Sequence, residues 1–139
     1  MSKHFVRPAV ALLLGLATAG AMAGTQTLTV SLEGPGGHSS GEYGNVNCVH
    51  AAATSIIAIE KAVPDAVMSG FNGGNSVNSI ASDARFTVTI TGEGAELKAK
   101  ADKVKAAVAE GCKTENDFRD VKPGDKKDGV AADIRWTVK

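Results

Sequence analysis

Aromatic residues are scarce in this 139-residue chain, where phenylalanine, tryptophan and tyrosine together make up 4% of the sequence. Proteins that bind single-stranded nucleic acid stack bases on aromatic rings, so this scarcity argues against that function. An excess of either charge is also missing, because 15 basic side chains balance 15 acidic ones. Without a basic patch, we expect no nucleic-acid partner.

Residues that hold catalytic metals are equally few. The chain has three histidines, and only His38 and His50 lie beyond its first 23 residues. Zinc hydrolases need clustered His, Asp and Glu ligands, but no H-x-D pair, Glu-Glu pair or H-E-x-x-H motif occurs. We therefore predict no metal site, no cofactor and no self-sufficient zinc hydrolase.

The N-terminus has the features of a secretory signal. Basic residues precede an apolar run over residues 9–19, and Ala21-Met22-Ala23 forms an A-x-A cleavage site. The apolar run is too short and too rich in Ala and Gly for a membrane span. We predict a signal peptide over residues 1–23 and one exported domain over residues 24–139. The mature domain is then periplasmic or secreted, without membrane attachment.

Hydrophobic periodicity predicts six elements in the order β-α-β-β-α-β. Apolar residues alternate with polar ones in the strands and recur at helical spacing in the helices. The second helix is rich in Ala, Lys and Glu, and Gly111 is placed to cap its end. The predicted strands cover residues 25–33, 66–71, 85–91 and 130–138, and the predicted helices cover residues 48–63 and 95–110.

This order of elements is that of the α+β ferredoxin-like fold, in which two helices cover one face of a four-stranded antiparallel sheet. The helices run antiparallel there, so the start of the first lies near the end of the second. Cys48 and Cys112 are predicted at those two ends. In the oxidising compartment that an exported protein reaches, they can form a disulfide. Such a bridge would stabilise the fold by about 4 kcal/mol in the chain-entropy model. The alternative is a pair of buried free thiols.

A glycine-rich loop joins the first strand to the first helix. Gly34, Gly36 and Gly37 allow positive φ angles there, and the N–H groups of the helix that follows suit an anion or a carboxylate. The alternative is that the glycines only allow a tight connection. His38 favours a binding role, because an accessible imidazole can donate to a carbonyl oxygen or bind a metal.

Two motifs about thirty residues apart carry a family resemblance. Residues 36–41 read Gly-Gly-His-Ser-Ser-Gly, with Asn45 soon after, and residues 72–80 read Asn-Gly-Gly-Asn-Ser-Val-Asn-Ser-Ile. This pattern resembles the lid, or dimerisation, domain of the M20 zinc peptidases, and that of the aminoacyl-histidine dipeptidases in particular. The resemblance implies that His38 steadies a substrate carbonyl oxygen in a neighbouring subunit and that Asn78 holds a terminal carboxylate. The predicted binding residues are His38, Ser39, Asn45, Gly73, Gly74 and Asn78.

Some positions depart from the usual family pattern. Ala81 and Ser82 stand where a proline and an arginine are common, and Glu42-Tyr43 replaces an Asp-Ile pair followed by His. The catalytic zinc domain into which such a lid is inserted is not found in this sequence.

Three functional hypotheses follow. The first is an exported, non-catalytic dimerisation and binding module that binds peptide or amino-acid carboxylates or docks on an M20-type catalytic partner in trans. It would form a homodimer through the weakly patterned edge strand over residues 66–71 and through the first helix. The second is a small hydrolase of a phosphate or acyl ester that uses His38 over the glycine loop. The third is a relic whose glycine loops serve folding alone.

Overall fold

A computed structural model describes residues 23–139. The predicted signal peptide, apart from Ala23, therefore lies outside the described residues. The two helices are α1 (Cys48–Ala62) and α2 (Gly94–Phe118). The strands are β1 (Ala23–Glu33), β2 (Gly37–His38), β3 (Val67–Gly73), β4 (Ser79–Ile80), β5 (Asp83–Glu93), β6 (Lys126–Lys127), β7 (Val130–Ala131) and β8 (Arg135–Val138).

Four strands form one antiparallel sheet in the order β3-β5-β1-β8. Strands β1 and β5 form its centre and pair along their whole length, with Leu28 opposite Val88 and Val30 opposite Phe86. Both helices pack on one face of this sheet, as the ferredoxin-like prediction required. The prediction of the fold is confirmed.

The core lies between the helices and one face of the sheet. Alternate residues of β1 and β5 are buried there, because successive side chains of a strand point to opposite faces. The opposite, uncovered face carries threonines in facing pairs such as Thr27 and Thr89. The largest fully buried side chains of the described residues are those of Phe86, Leu32, Ile59 and Ile90.

Helix α2 is longer than predicted and does not end at Gly111. The helix continues to Phe118, and Gly111 lies in its interior against Ser55 of α1. A Cβ atom at Gly111 would lie 2.2 Å from the Ser55 Oγ and 2.4 Å from the Ser55 backbone nitrogen. The glycine is therefore a close-packing point between two helices, where the sequence pattern indicated a C-cap.

The last predicted strand, over residues 130–138, is divided in two. Val130–Ala131 pairs with Lys126–Lys127 in a small hairpin, and only Arg135–Val138 joins the main sheet. Asp128 (φ 50°) and Gly129 (φ 84°) form the hairpin turn, and two successive residues with positive φ are typical of a type I′ turn. The alternation of apolar residues correctly predicted a strand in each piece. It did not indicate the interruption between Ala131 and Arg135.

Cys48 and Cys112 are both buried and both free in the structure, so the disulfide stays a prediction from sequence. Because α2 continues past Gly111, Cys112 lies about two turns before the helix end, near Ser55. Glu115, one turn further along α2, also reaches the start of α1, where its carboxylate accepts the Asn47 N–H. Burial raises the pKa of each thiol from 9.0 to about 12.

These raised pKa values predict a loss of stability at alkaline pH in the reduced protein. Well below pH 9.0 both folded and unfolded thiols are protonated, so the thiols add no pH dependence there. Between that pH and about 12 the unfolded state releases protons that the folded state keeps, and the free energy of unfolding falls as pH rises. Urea unfolding across this range, with and without a reductant, measures the effect.

The matched control is the double variant Cys48→Ala/Cys112→Ala, which has no thiols to titrate. We expect its unfolding free energy to fall less steeply over the same pH range. An equally steep fall in both proteins would contradict the assignment of the effect to the two cysteines. A slope that appears only after reduction would show that the two residues form a disulfide in the isolated protein.

Candidate functional site

The two glycine-rich loops meet through a short antiparallel ladder between β2 and β4. Gly37 lies opposite Ile80, and His38 lies opposite Ser79. The Ser39 N–H adds a third link by donating to the Asn78 carbonyl oxygen at 3.0 Å. This ladder brings the two motifs that are about thirty residues apart in sequence to one place on the surface.

The His38 imidazole is at the centre of this site and is exposed. Its Nδ1 accepts the Ser40 N–H at 3.3 Å and lies 2.9 Å from the Ser40 Oγ. A neutral imidazole whose Nδ1 accepts a hydrogen bond carries its proton on Nε2. The Asn78 Nδ2 lies 3.2 Å from Nε2 and donates to it only when the ring proton is on Nδ1, whereas with the proton on Nε2 both nitrogens are donors that can share an acceptor. The two predicted ligand-binding side chains are direct neighbours.

The second loop holds Asn78 from its own side. The Ser76 hydroxyl donates to the Asn78 Oδ1 at 2.6 Å, and the Ser79 hydroxyl donates to the Asn75 Oδ1 at 2.9 Å. Short Asn and Ser side chains often bond to nearby groups in this way and so define turns. The Asn78 amide is thus fixed beside His38 by its neighbours in sequence.

The remaining predicted binding residues stabilise or shape the backbone of the two loops in this structure. Asn45 donates from its side-chain nitrogen to the Gly36 carbonyl oxygen at 2.6 Å. A Cβ atom at Gly73 would lie 2.7 Å from the Asp83 carbonyl oxygen, so this glycine allows β3 to approach β5. Gly74 has a φ of 73° and forms the turn that follows.

Glu42 also acts on the backbone of the loop. Its carboxylate accepts the His38 N–H at 2.8 Å, while the His38 ring nitrogens face Ser40 and Asn78. Gly37, with a φ of 141°, leaves the space that the Glu42 side chain occupies. Glu42 therefore sets the position of the His38 backbone and does not orient the imidazole.

The N-terminus of α1 is not open to an anion, contrary to the expectation from the glycine loop. The Asn47 side chain accepts the N–H groups of Val49 and His50, at 3.0 and 3.3 Å. The Cys48 N–H donates to the Ala81 carbonyl oxygen at 3.0 Å. These donors are all satisfied within the protein and are not available to a ligand.

Comparison with known families gives a match over residues 20–119 to the peptidase dimerisation domain of the M20 peptidases. The match covers well over half of the sequence. The chain belongs to this dimerisation domain family. No curated protein sequence matches it.

Solved structures show the same fold as this dimerisation domain. A hydantoinase/carbamoylase family amidase from Burkholderia ambifaria has 16% identity and a TM-score of 0.66 over 85% of this chain and 27% of that one. An aminobenzoyl-glutamate utilization protein from Klebsiella pneumoniae has 15% identity and a TM-score of 0.62 over 83% and 27%. A tripeptidase from Staphylococcus aureus has 14% identity and a TM-score of 0.62 over 84% and 29%. The dimerisation domain thus spans under a third of the length of each of these three proteins.

The described part of the dimerisation domain has neither a candidate metal cluster nor a candidate membrane-spanning helix. Within residues 23–139, His, Cys, Asp and Glu side chains form no group of three or more that could hold a metal ion. In the same range, no helix is both long and apolar enough to span a membrane.

One polar cluster of the dimerisation domain was missed by sequence reasoning. Glu115 of α2 is 5% exposed and contacts the start of α1, and Arg119 lies one turn further on. Both belong to a charged segment that the sequence analysis left outside the second helix. The spacing of Val104, Val108, Cys112 and Glu115 continues the buried stripe of that helix and could have revealed the longer helix.

Proposed function

We propose that the chain is an exported, non-catalytic dimerisation and binding module of the M20 lid type. The observation that carries the proposal is the open outer edge of strand β3. Within the described sheet β3 pairs only with β5, and its Val67 and Phe71 are 61% and 48% exposed. An exposed edge strand with apolar side chains is suited to pairing with another strand. Pairing with a second β3 about a two-fold axis would give a homodimer with one continuous sheet.

Helix α1 supports the same interface. It packs beside β3, where Val49 of α1 would contact a Cβ atom added at Gly73 of the strand. A dimer that pairs two β3 strands therefore also brings the two α1 helices close to each other.

We expect Val67→Lys to weaken the homodimer by at least roughly tenfold. The substitution places a charge at the proposed strand pairing, and lysine on an edge strand opposes association. Analytical ultracentrifugation over a concentration series measures the dissociation constant. Val130→Lys is the matched control, because Val130 is similarly exposed but lies in the hairpin. An unaltered protein that stays monomeric at high micromolar concentration would overturn the dimer.

The proposed ligand is the carboxylate end of a peptide or amino acid. The Nε2 proton of His38 and the Asn78 amide provide two neighbouring donors at an exposed position. Carboxylate and carbonyl oxygens are acceptors that such a pair can bind together. The resemblance to aminoacyl-histidine dipeptidases makes alanyl-histidine a suitable probe.

Titration of the ¹⁵N-labelled domain with alanyl-histidine tests this site. We expect shifts at His38 and Asn78 with the dipeptide and much weaker shifts with its C-terminal amide, which lacks the carboxylate. His38→Ala should abolish the response, whereas Thr27→Ala, at an exposed position on the open face of the sheet, should preserve it. Equal responses to the acid and the amide would reject carboxylate recognition.

Export and a catalytic partner complete the proposal. The signal-like residues 1–23 support export to the periplasm or beyond, and N-terminal sequencing of the mature protein would locate the cleavage site. The exposed His38 supports a composite active site with an M20-type catalytic subunit in trans. Affinity capture from an envelope extract should then recover a peptidase that prefers the unaltered protein over His38→Ala.

A small hydrolase is the alternative, and one observation favours it. The Ser40 Oγ lies 2.9 Å from the His38 Nδ1, a distance at which a base can activate a hydroxyl nucleophile. Glu42 does not serve as the third member of a triad, because it binds the His38 backbone. Turnover of an acyl or phosphate ester that disappears in both Ser40→Ala and His38→Ala, with folding unchanged, would favour this alternative.

A further inference from the structure

Glu115 is one of two buried polar residues in the described core. Its Oε1 accepts the Asn47 N–H at 2.9 Å and the Arg119 Nε–H at 3.1 Å, and its Oε2 lies 3.8 Å from the His50 Nδ1. A buried carboxylate is costly unless hydrogen bonds and opposite charges compensate for the lost water. These contacts, together with the positive end of the α1 dipole, provide that compensation.

The contact between Glu115 and Asn47 completes the cap of α1 from a different helix. In a capping box, the N-cap side chain binds N–H groups of the first turn, and a Glu or Gln at the third helical position binds the N–H of the cap residue. Asn47 makes the first of these contacts, but the third helical position is His50. Glu115 of α2 supplies the second.

Arg119 extends the cluster into the loop before α1. Its Nε donates to Glu115, and its Nη1 donates to the Tyr43 carbonyl oxygen at 3.0 Å. The planar guanidinium can make both contacts at once because its donors point in fixed directions. Tyr43 and Asn47 are therefore both held by α2, one at each end of a five-residue segment.

This segment is linked in turn to His38. The Asn45 N–H donates to the Glu42 carbonyl oxygen at 2.8 Å, and the Asn45 side chain donates to the Gly36 carbonyl oxygen at 2.6 Å. The Glu42 carboxylate accepts the His38 N–H at 2.8 Å. Arg119 thus holds the Tyr43 carbonyl oxygen, and the adjacent residue along the backbone, Glu42, holds the His38 N–H.

We infer that Glu115 and Arg119 are positioning residues for the His38 site. The loop over residues 37–45 is rich in glycine and polar residues and is largely exposed, so few apolar contacts hold it. The β2–β4 ladder holds one end of this loop, and the polar contacts from α2 hold the other. The inference rests on the proposed function only for what the site binds, because the positioning itself is a property of the ligand-free protein.

Arg119→Lys in the ligand-free protein tests the inference. Lysine retains a charge that can pair with Glu115 but lacks the second arm that reaches Tyr43. We expect amide hydrogen exchange over residues 38–47 to accelerate about tenfold or more, the effect of one lost charge-assisted hydrogen bond. The side-chain NMR signals of His38 and Asn78 should shift as well, while exchange in β1 and β5 stays unchanged.

Arg85→Lys is the matched control, since Arg85 lies exposed on the open face of the sheet. An unchanged loop in Arg119→Lys and in Arg119→Ala, with both variants folded, would refute the positioning role. A uniform acceleration across the sheet and the loop would also refute it and assign these residues to global stability. Failure of alanyl-histidine to bind the unaltered domain would reject the proposed ligand and leave these exchange results standing.

Discussion

Gly111→Ala is expected to destabilise the protein by about 2 kcal/mol. The new Cβ atom would lie within 2.6 Å of the Ser55 Oγ, backbone nitrogen and Cα, so α1 and α2 have to separate. Overpacking of this kind costs about 1–3 kcal/mol and sometimes more, whereas alanine gains about 1 kcal/mol over glycine in helix propensity. Because two of the close atoms belong to the backbone, the clash should exceed the gain. Chemical denaturation measures the change in the free energy of unfolding.

Two further variants make this prediction specific. Gly44→Ala is the matched control, because a Cβ atom there meets nothing within 4 Å, and it should change the stability by less than about 0.5 kcal/mol. Adding Ser55→Ala to Gly111→Ala removes only the hydroxyl contact and should not restore stability. Full recovery in that double variant would contradict a backbone-to-backbone approach of the two helices.

Glu115→Ala should be the other strongly destabilising substitution, at about 2–4 kcal/mol. Removal of one partner from a buried ion pair costs about 3–5 kcal/mol, but the Arg119 side chain is 19% exposed and can regain some water. The Asn47 N–H also loses its acceptor at the start of α1. Thermal and urea unfolding should both show the loss.

Glu110→Ala is the matched control on the same helix, because the Glu110 side chain is exposed. It should change the free energy of unfolding by less than about 0.5 kcal/mol. Glu115→Gln should fall between the two, since it retains an acceptor for the Asn47 N–H and removes the charge that pairs with Arg119. Similar stabilities of Glu110→Ala and Glu115→Ala would show that the buried carboxylate contributes little.

The fold could be predicted because its elements have strong local signals. The alternation of Leu28, Val30 and Leu32 with threonine and serine requires a strand with one buried face, and residues 86–90 repeat it. The start of α1 was predicted at Cys48, where the structure has it, and Asn47 is a favoured N-cap residue.

The end of α2 was predicted wrongly because a contact with another helix, and not the local sequence, explains the residue at position 111. Glycine after an apolar helical stripe is typical of a C-cap. At position 111, however, glycine is needed because Ser55 of α1 occupies the space of a side chain. The segment beyond it is charged, so its helical continuation was not recognised. Ion pairs at i, i+4 such as Lys113 with Asp117 and Glu115 with Arg119 lie on that continuation and are known to support helices.

The candidate site was predicted only in part, and for a related reason. The resemblance picked out His38 and Asn78, which the structure places side by side. The ladder that joins their loops is two residues long on each side, too short to have a periodicity. The contacts from Glu115 and Arg119 depend on which turn of α2 faces the loop, and the predicted helix stopped before that turn.

The order of strands in the sheet determines when the domain can fold. Strand β1 comes first in the described chain but lies between β5 and β8. Leu28 can therefore pair with Val88 only after β5 has been synthesised, and Val30 can pair with Val138 only after β8 has been synthesised. Closing such long loops costs entropy before any contact repays it, and folds dominated by distant pairings form slowly. A chain that emerges from its N-terminus therefore holds β1 unpaired until β5 (Asp83–Glu93) has also emerged. A holdase chaperone would have that interval in which to bind the exposed apolar strand.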